Sequence, residues 1–96
     1  MIEISQTEHY AKWFKSLRDH NARVRINIRI RRLSLGNPGD VKPVGDGISE
    51  LRIDYGPGYR VYFRQRGNDL ILLLIGGEKS SQGKDIATAK AIAKDI

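Results

Sequence analysis

Basic and tyrosine side chains gather in the second half of the sequence, where they could bind RNA phosphates and move protons. Arginine and lysine hold phosphate groups, and tyrosine stacks on bases or donates a proton. The set comprises Arg52, Tyr55, Tyr59, Arg60, Tyr62, Arg64, Arg66, Lys79 and Lys84. The pattern fits a phosphate-binding site and, equally well, a sheet face on which alternate charges mark the side exposed to water.

Two of these arginines flank a short turn. Arg52 and Arg60 lie on either side of Tyr55-Gly56-Pro57-Gly58, which is expected to join adjacent antiparallel strands. We therefore expect their side chains to converge on one phosphate. Arg60 should lie on the exposed face of its strand, where the core does not need it.

A second basic set lies in the first half of the chain. For these residues a solvated helix face is favoured, with an acidic partner protein or RNA phosphates as the alternative. The set is Arg23, Arg25, Arg29, Arg31 and Arg32.

Other catalytic patterns are missing. The sequence contains no G-x-S-x-G, no H-E-x-x-H and no phosphate-binding G-x-x-x-x-G-K motif. His9 and His20 have no acidic residue at metal-ligand spacing, so we expect both at the surface. Neither a metal nor a small-molecule cofactor is expected.

Length and composition indicate one basic domain. A chain of 96 residues supports one core, so we expect a single domain spanning residues 1–96. Its 17 Lys+Arg against 11 Asp+Glu give a net charge of +6, which favours a polyanion or an acidic protein as partner. Without cysteine, a secretory signal or an apolar run of about 20 residues, we expect a cytoplasmic protein with no membrane partner.

The first third of the chain predicts a strand and two helices. Residues 2–4 alternate as in a short strand, and Thr7 is placed to cap a helix whose core face carries Tyr10, Trp13, Phe14 and Leu17. Residues 21–36 are ambiguous, because apolar and polar residues alternate strictly from Val24 to Arg31 as in a strand. The length, the cap signal at Asn21 and the stop at Gly36 favour a helix instead.

The remainder predicts a meander followed by a helix. Residues 41–44, 48–54, 59–65 and 69–75 read as strands that pair as antiparallel hairpins, with residues 70–75 the most buried. Gly76-Gly77 is expected to end the sheet, and Ser80 or Ser81 to cap a helix with a narrow, alanine-rich apolar stripe. The expected class is α+β: an N-terminal strand and a helical hairpin packed on a twisted antiparallel sheet, with a short C-terminal helix.

Two motifs carry a resemblance to a known family. Both motifs resemble the HigB-like "addiction module killer" group of the RelE/ParE toxin superfamily. The first is Gly45-Asp46-Gly47-Ile48-Ser49-Glu50-Leu51-Arg52-Ile53-Asp54-Tyr55-Gly56-Pro57-Gly58-Tyr59-Arg60-Val61-Tyr62-Phe63, and the second is Gly76-Gly77-Glu78-Lys79-Ser80. The resemblance covers almost the whole chain. It implies the toxin of a type II toxin–antitoxin system that cleaves mRNA in the ribosomal A site without a metal.

The resemblance also assigns roles to residues. Arg60 and Lys79 carry over most directly as catalytic residues. Arg52 and Tyr55 complete the expected catalytic set, and the expected RNA-binding set is Arg64, Arg66, Lys84 and Tyr62. The implied partners are the ribosome with its mRNA and a cognate antitoxin encoded by a neighbouring gene.

The C-terminal segment departs from the family pattern. Ribosome-dependent nucleases of this family carry a tyrosine, or a His/Tyr pair, in that segment, and residues 80–96 contain neither. Three alternatives follow: a lysine or Tyr55 transfers the proton, catalysis rests on orientation and charge, or the protein is not a nuclease. The last alternative corresponds to a ParE-like toxin that binds and inhibits DNA gyrase.

Overall fold

The fold, seen in a computed structural model describing residues 1–96, is α+β with three helices and a five-stranded mixed sheet. Along the chain the elements are β1 (Glu3–Gln6), α1 (Glu8–Ser16), α2 (His20–Ser34), β2 (Val41–Gly45), β3 (Ile48–Ile53), β4 (Tyr59–Arg66), β5 (Leu70–Glu78), a 3-10 turn (Lys79–Ser81) and α3 (Gln82–Lys94). The α+β class and the helical character of the ambiguous segment agree with the sequence prediction.

Capping side chains fix where the first two helices begin. The Thr7 hydroxyl accepts a hydrogen bond from the Tyr10 amide at 3.0 Å and donates to the Leu74 carbonyl at 2.6 Å, so it caps α1 and joins it to β5. For α2 the cap is Asp19, whose Oδ1 accepts from the amides of Asn21 and Ala22. The prediction that Asn21 caps this helix was wrong by two residues, because the acidic side chain before it reaches the free amides.

The sheet has the order β1-β5-β4-β3-β2. Strands β2 to β5 pair as antiparallel neighbours, as the turns between them predicted. Strand β1 instead pairs parallel with β5, with Glu3 opposite Leu70. The expectation of a wholly antiparallel sheet was therefore wrong for β1. A parallel pair between distant segments leaves no turn motif in the sequence.

Helices cover both faces of the sheet. On one face, α1, its C-cap residue and α2 pack on a core cluster that includes Val61 and Phe63 of β4. They contribute Tyr10, Leu17, Ala22, Ile26, Ile30 and Leu33. On the other face, α3 contributes Ala89, Ile92 and Ala93 to a smaller cluster around Ile48, Tyr62 and Leu74. The protein thus has three layers. The expected core role of the α1 aromatic residues is confirmed, since Trp13 and Phe14 pack against the larger cluster.

Gly76 and Gly77 lie inside β5 and do not end it. The strand continues to Glu78, so the predicted stop was wrong. A Cβ atom at Gly76 would overlap the Trp13 ring, and one at Gly77 would overlap the Asp85 carboxylate of α3. The two glycines therefore let α1 and α3 pack closely on opposite faces of the same strand.

No helix of the structure combines the length and the apolar character needed to cross a membrane.

Replacing Gly76 with alanine should destabilise the protein by about 1–3 kcal/mol, because the added methyl group displaces the Trp13 ring. Urea denaturation of parent and variant measures this change. The control is Gly83→Ala, because nothing lies within 4 Å of a Cβ at that helical position. Alanine there should leave stability unchanged or raise it by up to about 1 kcal/mol. A Gly76→Ala protein as stable as the parent would contradict the packing argument.

Candidate active site

A cleft of about 220 Å³ lies where β3 ends and β4 begins. Arg52 and Arg60 face each other in the register of these two strands, and both line the cleft together with Lys79. Two carboxylates, those of Asp40 and Asp54, also line it. The structure thus brings together three of the four residues expected to be catalytic.

The turn between β3 and β4 holds Lys79 at this cleft. Gly58 adopts a positive φ of 80°, and its carbonyl accepts a hydrogen bond from the Lys79 amide at 2.8 Å. A Cβ atom at Gly58 would lie only 3.2 Å from the Lys79 Cβ. Glycine at this position therefore provides both the backbone conformation and the close approach that place Lys79 beside the two arginines.

A buried carboxylate, that of Glu50, holds Arg60 in position. Its Nη1 donates to Glu50 Oε1 at 2.8 Å, and the Glu50 side chain has no exposed surface. Glu50 Oε2 accepts from the Tyr62 hydroxyl at 2.9 Å and from Gln82 Nε2 of α3 at 3.1 Å. We call these four residues the Glu50 network. It fixes the arginine at the cleft and links β3, β4 and α3.

The expectation that Arg60 and Tyr62 lie on an exposed face was wrong. Arg60 is 8% exposed and Tyr62 is 0% exposed, because α3 covers this side of the sheet. Tyr62 is therefore not accessible for stacking on an RNA base. Burial, together with the hydrogen bond to Glu50, raises the pKa of Tyr62 well above that of a free tyrosine. Its hydroxyl is thus a stable hydrogen-bond donor within the network.

Arg52 is paired with Asp40 at the rim of the cleft. Its Nη2 and Nε donate to Asp40 Oδ1 at 2.7 and 3.0 Å. These hydrogen bonds lower the pKa of the Asp40 carboxyl, and the carboxylate raises the pKa of Arg52. Both groups remain charged at neutral pH. Lys79 is exposed and has no ion pair, so it is the cleft cation without a carboxylate partner.

Tyr55 does not line the cleft. Its hydroxyl donates to Asp19 Oδ2 at 2.9 Å, and the Arg25 guanidinium lies 4.6 Å from the centre of its ring. The hydrogen bond to Asp19 raises the pKa of Tyr55, which works against a role as general base. The residue instead ties the turn to the start of α2.

The expected RNA-binding residues are dispersed. Arg64 lies towards the far end of β4, in a separate group with Asp46, Lys90 and Lys94. Two further residues of the expected set, Arg66 at the end of β4 and Lys84 on α3, are exposed. None of them lines the cleft that contains Arg60.

Sequence reasoning missed the acidic side of this site. The motif that contains Glu50 predicts no role for it, although Glu50 alternates with Arg52 on the strand face that Arg60 shares. Pairing β3 with β4 in register would have placed it near Arg60. Asp40 and Gln82 left no comparable signal, because both reach the site across loops or from another layer.

The fold and the cleft define a small α+β protein whose basic side chains are oriented by carboxylates at one end of a mixed sheet. The chain belongs to the same protein family as an uncharacterized protein of Haemophilus influenzae, to which it is 48% identical over 95 residues, 99% of this chain and 96% of the relative. No family model matches the chain.

Replacing Arg60 with alanine should destabilise the fold by about 3–5 kcal/mol, because it leaves the Glu50 charge buried without its cation. Chemical denaturation measures the loss. The double variant Arg60→Ala/Glu50→Gln should recover roughly half of it, since a neutral amide can still accept from Tyr62 and Gln82. A single variant as stable as the parent would show that the pair is not structurally required.

Acid should weaken the contact between Tyr55 and the start of α2. The Tyr55 hydrogen bond and the helix amides lower the pKa of Asp19 in the folded state. This stabilisation is complete above the usual aspartate pKa, near pH 4, and is lost as the pH falls through the lower pKa of the folded protein. Asn caps helices as well as Asp but does not titrate. Thermal melting should therefore show a smaller acid-induced loss for Asp19→Asn than for the parent, and identical losses would contradict this.

Proposed function

We propose that the protein is a HigB-like toxin of the RelE/ParE superfamily that cleaves mRNA bound to the ribosome and thereby stops translation. The observation that carries the proposal is the position of Arg60 beside Arg52 and Lys79 in one cleft. Arg52 and Arg60 lie in the stretch from Gly45 to Phe63 that resembles the family, and Lys79 lies in the second motif, Gly76-Gly77-Glu78-Lys79-Ser80.

The chemistry needs positive charge held in a fixed position. When a 2′-hydroxyl attacks the adjacent phosphate, the new O2′–P bond gives a 2′,3′-cyclic phosphate, the P–O5′ bond breaks, the hydroxyl loses its proton and the departing 5′-oxygen takes one up. Negative charge develops on the phosphate oxygens during this step, and donors already in place stabilise it. The Nη1–Glu50 contact is the only hydrogen bond that the Arg60 side chain makes. Its remaining N–H groups are free to bind a phosphate in the cleft. Glu50 orients this arginine in advance of substrate binding, which reduces the cost of reorganisation.

Few side chains at this cleft are available to transfer a proton. The hydroxyls of Tyr55 and Tyr62 donate to carboxylates elsewhere, and Asp40 is paired with Arg52. Asp54 is the cleft carboxylate without an ion pair. This arrangement supports catalysis by charge and orientation, with the ribosome aligning the 2′-hydroxyl and the phosphate.

The second candidate is a ParE-like toxin that binds DNA gyrase. Two of the three cleft cations, Arg52 and Arg60, are already paired with carboxylates of the same chain, which reduces the charge available to RNA. A toxin that acts by binding a protein needs no general acid or base. In either case the proposal includes a cytoplasmic site of action and an antitoxin encoded by a neighbouring gene, whose binding neutralises the toxin.

Lys79→Ala should reduce cleavage of ribosome-bound mRNA by about a hundredfold, because one charge contact to the transition state is lost. The fold should be unaffected, since Lys79 is exposed and makes no ion pair. Arg60→Lys should lose activity to a similar extent, since an ammonium cannot replace the planar guanidinium. The measurement is the rate at which new 5′ ends appear on mRNA in programmed ribosomes.

The matched control is Lys42→Ala, an exposed lysine on β2 that does not line the cleft, and it should cleave like the parent. A folded Lys79→Ala protein with parental activity would exclude Lys79 from the reaction. If the parent leaves ribosome-bound mRNA intact and stabilises gyrase–DNA cleavage complexes, the second candidate is correct.

A further inference from the structure

Helix α2 exposes large apolar side chains on its outer face. Val24, Ile28 and Leu35 are 42%, 46% and 51% exposed. The other exposed large apolar residues of the protein are Met1 and Ile96, at the two chain ends. Val24 and Ile28 are about one helical turn apart and Leu35 follows about two turns later, so the three form a row of exposed apolar residues on and directly after one helix. Exposed apolar residues grouped on one side of a protein mark binding surfaces.

These three residues line up along the helix. At about 100° per residue they fall within an arc of roughly 40°, and they extend about 16 Å along the axis. We call them the α2 stripe. Ile26, Leu33 and the other core residues of α2 lie on the opposite side. The alternating sequence pattern therefore has a structural cause: α2 is apolar on two opposite faces, and only one of them is covered.

Arginines lie in line with the α2 stripe and along one side of it. The helix carries five arginines and no acidic residue. Arg31 lies in line with the stripe, and Arg25 and Arg32 lie along one side of it. Arg31 and Arg32 are exposed and form no ion pair. A cavity of about 270 Å³ opens between Ile28, Arg32 and Ile53, with room for an inserted side chain. Three arginines and one carboxylate, that of Asp54, line it, so its net charge is positive.

The charge and the apolar character of this surface indicate which kind of partner binds to it. Packing α2 of a second copy against it in a two-fold dimer would bring two sets of arginines together without carboxylates, which is unfavourable. Nucleic acid would neutralise the arginines but leave the apolar stripe without a packing partner. An amphipathic helix with apolar residues at i, i+4 and i+11 and carboxylates beside them would pack on the apolar stripe and also pair with the arginines.

We propose that the outer face of α2 binds an acidic amphipathic helix of a partner protein. The α2 stripe supplies the apolar contacts, and Arg25, Arg31 and Arg32 pair with carboxylates at the rim. The inference does not depend on the proposed cleavage reaction, because it rests on the exposed face of α2 and the cavity beside it. That cavity adjoins the cleft that contains Arg60 and Lys79, since Ile53 and Asp54 line both.

The test uses a synthetic helical peptide of about 18 residues with leucines at the matching spacing and glutamates on either side. Fluorescence anisotropy should show binding to the full-length protein. A peptide of the same composition with scrambled order should bind at least about tenfold more weakly, since it cannot present one apolar face. Ile28→Asp should weaken binding of the designed peptide by a similar factor. The control Ile96→Asp, an exposed isoleucine at the chain end, should bind like the parent.

Four outcomes of these experiments would overturn the proposal. Equal binding of the designed and scrambled peptides would show that charge alone attracts them. Failure of the designed peptide to bind would exclude helix docking. A dimer in sedimentation experiments that Ile28→Asp dissociates would assign the stripe to a second copy. An RNA oligonucleotide whose binding depends on Ile28, with no peptide binding, would assign it to nucleic acid. Circular dichroism of each variant verifies that the fold is intact.

Discussion

The Glu50 carboxylate has no exposed surface, and a buried charge of this kind is tolerated only when donors surround it. Here the donors come from Arg60 and Tyr62 on β4 and from Gln82 on α3. The identity of residues on one neighbouring strand and one helix is therefore tied to the Glu50 side chain. The same contact that satisfies the buried carboxylate also positions the arginine of the cleft, so stability and the candidate chemistry depend on the same interaction.

The layer formed by α3 buries few apolar residues, so the polar contact from Gln82 to Glu50 is a larger share of what holds it to the sheet. Its buried apolar contribution is limited to Ala89, Ile92 and Ala93, whereas the opposite layer buries Tyr10, Leu17 and several aliphatic residues of α2. Gln82 and Asp85 add polar contacts at the start of α3, where Asp85 accepts a hydrogen bond from Ser81 and packs against Gly77. The α3 layer thus combines a small apolar cluster with polar contacts at the start of the helix.

Local features of the fold could be predicted from the sequence, whereas features that depend on the third layer could not. The Thr7 cap, the aromatic face of α1 and the antiparallel hairpins follow from short-range patterns. The parallel pairing of β1 and the continuation of β5 through Gly76-Gly77 depend on segments far apart in the chain. Arg60 and Tyr62 looked exposed because alternation along a strand does not reveal that a helix covers the polar face. For the cleft, the three cations were predictable, but the carboxylates that orient them were not.

The pairing of β1 with β5 has a consequence for how the protein is made. The contact from Thr7 to Leu74 spans 67 residues of sequence, and α3 follows later still. Pairs this distant form slowly, because a long loop must close before the contact is gained. During synthesis the first strand leaves the ribosome long before its partner exists, and Gln82 emerges after that. The complete site therefore assembles only after Gln82 has been translated, so chains that stop before it lack the arrangement that fixes Arg60.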